Sequence, residues 1–103
     1  MEKYIKDWLV AVLYSPWYWA WWYTWNKEYW EQLIFDKRIV EKVLNKEEID
    51  EEWIKWILNV DYIYMGWLDD LEVEWIPEWT NFRIDEYDWN ESIVTEEQLY
   101  FTA

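Results

Sequence analysis

The chain has 103 residues, the length of one domain, and we expect a single domain over residues 1–103. It has no His, no Cys and one Gly, which excludes Ser/His and Cys/His catalysis, thiolate metal sites and glycine-rich phosphate loops. The net charge is −14, and residues 47–103 carry seventeen Asp and Glu against two Lys and Arg. Such a field repels nucleic acid and anionic lipid and attracts basic protein surfaces.

The first two predicted elements are a helix and a strand. In residues 2–14, apolar side chains recur at the helical spacing i, i+3, i+4, i+7. They are Ile5, Trp8, Leu9, Val12 and Leu13. Ser15-Pro16 ends this pattern. Residues 17–25 (WYWAWWYTW) then alternate with period two, which favours a strand with an aromatic face. A helix that begins at Pro16 is the alternative.

Two further helices are predicted in the middle of the chain. Residues 29–44 keep apolar side chains at helical spacing. Asn45 and Glu48 then have the spacing of a capping box, which predicts that a second helix follows. Its apolar face is Ile49, Trp53, Trp56, Ile57 and Val60. Its first turns contain Glu47, Asp50, Glu51 and Glu52. Because a helix dipole favours anions at its N-terminus, we interpret that acidic cluster as structural.

After Asn59 apolar and polar residues alternate with a period of two, which predicts four strands. They are residues 61–67, 71–76, 81–87 and a run within 92–101. The breaks between them are Asp69-Asp70, Pro77-Glu78 and Trp89-Asn90-Glu91. Helices grouped towards the N-terminus and strands towards the C-terminus indicate an α+β domain. We expect amphipathic helices in the N-terminal part to pack on a mainly C-terminal antiparallel sheet.

Acidic side chains outside the helix cap are the predicted binding residues. In LEVEW, Glu72 and Glu74 point to one face and the apolar residues to the other. Same-face residues of a strand lie about 6.6–6.8 Å apart, so these carboxylates present charge at a density similar to that of DNA phosphates. The candidate set is Asp69, Asp70, Glu72, Glu74, Glu78, Asp85, Glu86, Asp88 and Glu91. A solvated polar face is the alternative, although ordinary surfaces mix both charge signs.

Metal binding and carboxylate catalysis are weaker interpretations of the same acids. Residues 85–91 (DEYDWNE) collect oxygen ligands but lack the spacing and the central Gly of an EF-hand. Acids are so abundant that a carboxylate pair at a chosen distance carries no specificity for catalysis. We therefore expect no enzyme activity, no metal and no cofactor.

The chain contains 13 Trp, 9 Tyr and 3 Phe, which is more aromatic surface than a core of this size encloses. We expect most of them between sheet and helices and a minority in an exposed contact patch. Trp79 and Trp89 lie in loop-like sequence and are the candidates for that patch. Residues 8–25 carry no charge, but Trp and Tyr prefer the membrane interface to its centre, so we do not expect a membrane-spanning segment.

A small, acidic, aromatic-rich chain without Cys resembles, in composition, the broad class of phage-encoded anti-defence proteins, including anti-CRISPR and DNA-mimic inhibitors. The resemblance implies a cytoplasmic, non-catalytic inhibitor that binds the basic nucleic-acid groove of a host defence nuclease complex. Its partner would be a basic protein surface of a nucleic-acid-binding effector, without direct contact to nucleic acid or membrane. The alternative is a protein–protein interaction module, or a homodimer, that uses the exposed Trp and Tyr patch.

Overall fold

A computed structural model describes residues 1–16, 22–63, 68, 71–87, 90–95 and 101–102. One antiparallel sheet has the order β1-β2-β3, with β1 at Ile5–Lys6, β2 at Leu9–Tyr14 and β3 at Glu72–Pro77. A second antiparallel sheet has the order β5-β4-β6, with β4 at Asn81–Tyr87, β5 at Asn90–Val94 and β6 at Phe101–Thr102. The helices are α1 (Trp30–Phe35), α2 (Lys37–Leu44) and α3 (Glu51–Leu58), preceded by short 3₁₀ helices at Tyr23–Trp25 and Lys27–Tyr29. The α+β class is confirmed, although two strands come early.

The N-terminal segment is a β-hairpin, so the helix predicted there is wrong. Val10 to Leu13 are completely buried in β2, the middle strand of its sheet. A strand buried on both faces is apolar at every position, and a subset of its residues then matches helical spacing by chance. Asp7 and Trp8 form the two-residue turn with φ angles of 52° and 67°. Positive φ at both central residues is typical of a type I′ hairpin.

The helix predicted over residues 29–44 is present but divides at Asp36. This residue has ψ of 118°, and its carboxylate caps α2 by accepting a 2.9 Å hydrogen bond from the backbone N–H of Arg38. The N-terminal segment also pairs with Asp36 through an isolated bridge from Lys3. The helix therefore breaks where a cap and a tertiary contact act together.

The helix α3 begins later than the predicted capping box. Asp50 is its N-cap and accepts a 2.8 Å hydrogen bond from the backbone N–H of Trp53, whereas Asn45 is the C-cap of α2. This shift changes the buried face, which consists of Ile54, Ile57 and Leu58. Trp56 is 71% exposed, so its predicted position on the buried face is wrong.

The aromatic strand predicted over residues 17–25 is wrong in its described part. Residues 23–25 form a 3₁₀ helix, and residues 17–21 lie outside the described residues. Of the predicted strand over 61–67, residues 61–63 are not in a strand and the remainder is not described. The strands over 71–76 and 81–87 are confirmed as β3 and β4.

The C-terminal end of the chain departs from prediction in two details. Asn90 and Glu91, predicted as a break, belong to β5. The last predicted run, within residues 92–101, comprises most of β5 and the start of β6, and residues 96–100 between them are not described.

The core lies between the helices and the two sheets. Phe35 of α1 makes an edge-on contact with Phe82 of β4, with ring centroids 6.1 Å apart, and both rings are buried. Trp22 is 0% exposed, and its indole N–H donates a 2.7 Å hydrogen bond to the carbonyl of Leu33. Part of the tryptophan excess thus fills the core, with its polar atom satisfied. Across the described residues, no helix is long and apolar enough to cross a membrane.

Candidate protein-binding site

Strand β3 presents the predicted acidic face. Glu72 and Glu74 are exposed, Leu71 is buried, and Val73 and Trp75 are half-buried. The alternation predicted from LEVEW is therefore confirmed. The apolar face anchors the strand to the core, so its carboxylates project from a fixed backbone.

Tyr14 adds a hydroxyl to this face. It lies opposite Glu72 in the β2–β3 register, and its hydroxyl donates a 3.4 Å hydrogen bond to Glu72 Oε2. Burial raises the pKa of Tyr14, and the charges of Glu72 and Glu74 raise it further. Both carboxylates thus act on one phenol, which stays neutral at physiological pH and leaves the face with the charge of the two glutamates.

Two turns lie side by side at the other end of this sheet. The backbone N–H of Glu78 donates a 2.8 Å hydrogen bond to the carbonyl of Trp8, which joins the β3–β4 turn to the β1–β2 turn. Trp8 is 78% exposed and Trp79 is 79% exposed, with φ of 67° and 71°. A left-handed backbone is unfavourable for a residue with a Cβ by roughly 1–2 kcal/mol. The predicted exposure of Trp79 is confirmed, and Trp8 is a second exposed indole on the neighbouring turn.

The other described candidates do not continue the face of β3. Asp85 and Glu86 lie on β4, which belongs to the second sheet. Asp85 also forms a 3.1 Å ion pair with Arg83, which neutralises part of its charge. Glu78 is half-buried in the β3–β4 turn. Asp69, Asp70, Asp88 and Trp89 lie outside the described residues.

Glu91 is not on an accessible surface, and that prediction is wrong. Its side chain is 1% exposed. Its Oε1 accepts a 3.0 Å hydrogen bond from the backbone N–H of Ser15, and its Oε2 accepts bonds of 2.8 and 2.9 Å from the N–H and hydroxyl of Thr24. The carboxylate therefore joins β5 to two distant segments of the chain. Nothing in the sequence distinguishes Glu91 from its acidic neighbours, because this role depends on tertiary contacts.

Burial raises the pKa of Glu91, although hydrogen bonds from Thr24, Ser15 and Trp22 oppose the shift. No Lys or Arg forms an ion pair with Glu91 among the described residues. A buried carboxylate held only by neutral donors is stabilised by its hydrogen bonds alone. We therefore assign Glu91 a structural role.

A groove of about 760 Å³ lies beside the first half of β3. Its apolar lining comes from the end of α2, the following loop, and residues just before and at the start of β3. These residues are Val43, Leu44, Ile49, Leu68, Leu71 and Val73. Charged residues complete it, namely Lys46, Glu47, Glu48 and Glu72. Sequence reasoning missed this groove because its walls are far apart in the chain. Within the described part of the chain, no group of three or more acidic side chains is arranged to hold a metal ion.

Comparisons of this chain with protein-family models, with curated proteins and with solved structures found no match. The function is therefore inferred from charge, exposure and geometry.

Proposed function

We propose that this protein is a non-catalytic acidic inhibitor that binds the basic nucleic-acid groove of a host defence nuclease complex, in the manner of anti-CRISPR and DNA-mimic proteins. The observation that carries the proposal is the exposed Glu72–Glu74 pair on a strand whose other face is anchored in the core. The protein would act in the cytoplasm, where such complexes meet foreign DNA.

Spacing and charge both support this function. Glu72 and Glu74 are two residues apart on one strand, so their carboxylates repeat at about 6.6–6.8 Å. The net charge of −14 attracts a basic groove over a distance and raises the rate of encounter. Because β3 pairs with β2 along one edge and packs on the core through one face, little conformational entropy is lost on binding.

A protein–protein interaction module is the second candidate, and the exposed indoles of Trp8 and Trp79 favour it. Trp8 and Trp79 occupy adjacent turns in a left-handed conformation that a glycine would adopt more easily. Exposed Trp residues are frequent energetic centres of protein interfaces. This candidate binds through apolar burial, which is much less sensitive to salt than ion pairing.

Competition with DNA separates the two candidates. The partner is captured from a host lysate at low salt, purified, and loaded with a fluorescently labelled DNA duplex. We expect this protein to displace the duplex at a one-to-one ratio, and we expect displacement to weaken steeply as NaCl rises. Binding that leaves the duplex in place, resists salt and is lost in a Trp8→Ser/Trp79→Ser variant would contradict inhibition and support the interaction module.

A further inference from the structure

The hydrogen-bond phase of the first sheet shows which backbone groups of β3 face outward. Ala11 N–H donates to the carbonyl of Tyr4, so Ala11 points towards β1. In an antiparallel ladder the backbone groups of successive residues point to opposite sides, so Val12 points towards β3, where it lies opposite Glu74. Glu74 therefore bonds to β2, and its neighbour Val73 points away from the sheet.

A second bond gives the same phase independently. Glu78 N–H donates to the carbonyl of Trp8, so even-numbered residues of β3 face β2 and odd-numbered residues face outward. Pro77 fits this phase, because a proline without an N–H is tolerated where the strand edge is open. Among the described residues, no backbone hydrogen bond satisfies Val73 or Trp75 on the outer side. Within the part of the chain that the structure describes, the N–H and C=O groups of Val73 and Trp75 are therefore available at the edge of β3.

The groove lies beside the first part of this edge. Leu71, Glu72 and Val73 all line it, and they are consecutive. Because consecutive side chains of a strand point to opposite faces, a groove that meets all three lies against the edge of the strand. Leu44 and Ile49 contribute to its apolar lining, so an apolar wall adjoins the outward-facing backbone groups of β3.

We propose that the edge of β3 and this groove bind an extended segment of the partner that alternates basic and apolar residues. The segment would add to the sheet as a further strand, with backbone bonds to Val73 and Trp75. Its basic side chains would lie on the side of Glu72 and Glu74, and its apolar side chains would enter the groove beside Leu44. This inference depends on the proposed function for the charge of the partner, and it names the element that is recognised.

Charge complementarity favours such a segment over a second copy of this chain. Antiparallel pairing of two β3 strands would place Glu72 and Glu74 against the same residues of the other copy. Like charges opposite each other destabilise a strand pair, whereas opposite charges stabilise it. Charged residues on an open edge are also a common protection against self-association.

The test uses defined peptides. A capped, labelled peptide of about eight residues that alternates lysine and valine is titrated with the protein, and binding is followed by fluorescence anisotropy. One control peptide has the same composition with all lysines before all valines. A second control is the alternating peptide N-methylated on alternate residues, in both phases. We expect the alternating peptide to bind at least about tenfold more tightly than the block peptide, and at least about tenfold more tightly than the methylated peptide in which methyl groups replace the N–H groups that would face β3.

A variant of the protein tests the same bonds from the other side. Val73→Pro removes the outward N–H and keeps every charge and every bond to β2. We expect about tenfold weaker binding of the alternating peptide, with an unchanged circular dichroism spectrum. The variant Glu72→Gln/Glu74→Gln keeps the shape of the two side chains and removes their charge. It should lower the affinity for the alternating lysine–valine peptide more than the affinity for an alternating serine–valine peptide. If Val73→Pro does not fold, the methylated peptides still decide the result.

Three results would overturn the inference. The first is equal binding of alternating, block and methylated peptides. The second is a dimer of the unliganded protein that dissociates in Val73→Pro, because the edge would then be a self-interface. The third is a partner captured from lysate that binds Val73→Pro normally but fails to bind Glu72→Lys/Glu74→Lys. In that case the acidic inhibitor proposal stands and only strand addition fails.

Discussion

The buried carboxylate of Glu91 allows a sharp test of what stabilises the fold. Replacing Glu91 by Ala leaves the N–H of Ser15 and the N–H and hydroxyl of Thr24 without their acceptor in a site that is 1% exposed. An unsatisfied buried donor costs about 1–3 kcal/mol, and water that enters the cavity recovers part of this. We therefore expect Glu91→Ala to lower the free energy of unfolding by about 3–5 kcal/mol. For a domain of this length the melting temperature would fall by at least about 12 °C.

The isosteric variant Glu91→Gln separates the charge from the shape. Because burial raises the pKa of Glu91, the folded protein favours the neutral side chain more than the unfolded chain does. Gln is neutral and fills the same space, but its NH2 group cannot accept a hydrogen bond and must face the donor of Ser15 or those of Thr24. We therefore expect Glu91→Gln to lower the free energy of unfolding at pH 7 by about 1–3 kcal/mol, less than Glu91→Ala does.

The pH dependence of this comparison has a definite sign. As pH falls from 7, the folded protein takes up a proton at Glu91 before the unfolded chain does, because its pKa is raised in the folded state. The wild-type protein therefore gains stability relative to Glu91→Gln. The gain is complete below the unfolded value of about 4.3 and is lost as pH rises through the raised pKa. Subtracting the Gln variant cancels most of the contribution of the other carboxylates.

Urea unfolding at several pH values between about 4 and 7 measures these differences, with tryptophan fluorescence and circular dichroism as probes. If the difference in free energy of unfolding between the wild type and Glu91→Gln grew with rising pH, the hydrogen bonds would lower the pKa of Glu91 more than burial raises it. A cost below about 1 kcal/mol for Glu91→Ala would show that the carboxylate does not hold its two distant segments together.

The remaining predictions concern tryptophans and salt. Trp22→Ala should lower the free energy of unfolding by about 3–5 kcal/mol in urea, because the indole is fully buried and hydrogen-bonded to Leu33. Trp56→Ala should lower it by less than about 1 kcal/mol, and equal losses would contradict the assigned core. Trp79→Ala should lower the free energy of unfolding by less than about 1.5 kcal/mol, and a larger loss in this variant would mean that the indole packs on the fold. Trp79→Gly should be neutral or stabilising by up to about 1 kcal/mol, because φ of Trp79 is 71°. Moderate NaCl should raise the melting temperature, since the net charge is −14; a steady fall up to about 0.3 M would show that ion pairs outweigh repulsion.

Elements with one exposed face could be predicted from the sequence, and those buried on both sides could not. Strand β3 alternates because Glu72 and Glu74 face solvent while Leu71 faces the core. Strand β2 has no such contrast, so its apolar run matches helical spacing and predicts a helix where a strand is present. The capping-box spacing predicts that α3 follows Asn45, but Asp50 forms the observed cap bond, because the chain between the two helices is longer than that spacing implies.

The candidate site was predictable to the same extent. The carboxylates of β3 follow from the alternation of a single segment. The burial of Glu91 depends on a contact with Ser15, 76 residues away in the chain, which no local pattern encodes. The groove beside Val73 likewise requires α2 and β3 to meet, so neither segment alone predicts it.

The most direct test of the proposed function compares two charge reversals of equal size. Glu72→Lys/Glu74→Lys places like charge against a basic groove, whereas Glu31→Lys/Glu41→Lys makes the same change in net charge on exposed positions of α1 and α2. Affinity for the captured partner is measured for both variants, with circular dichroism as the folding control. We predict that the first reversal abolishes binding, since like-charge contact costs several kcal/mol, and that the second weakens it only a few-fold. Equal affinities of the two folded variants would contradict a binding role for the acidic face of β3.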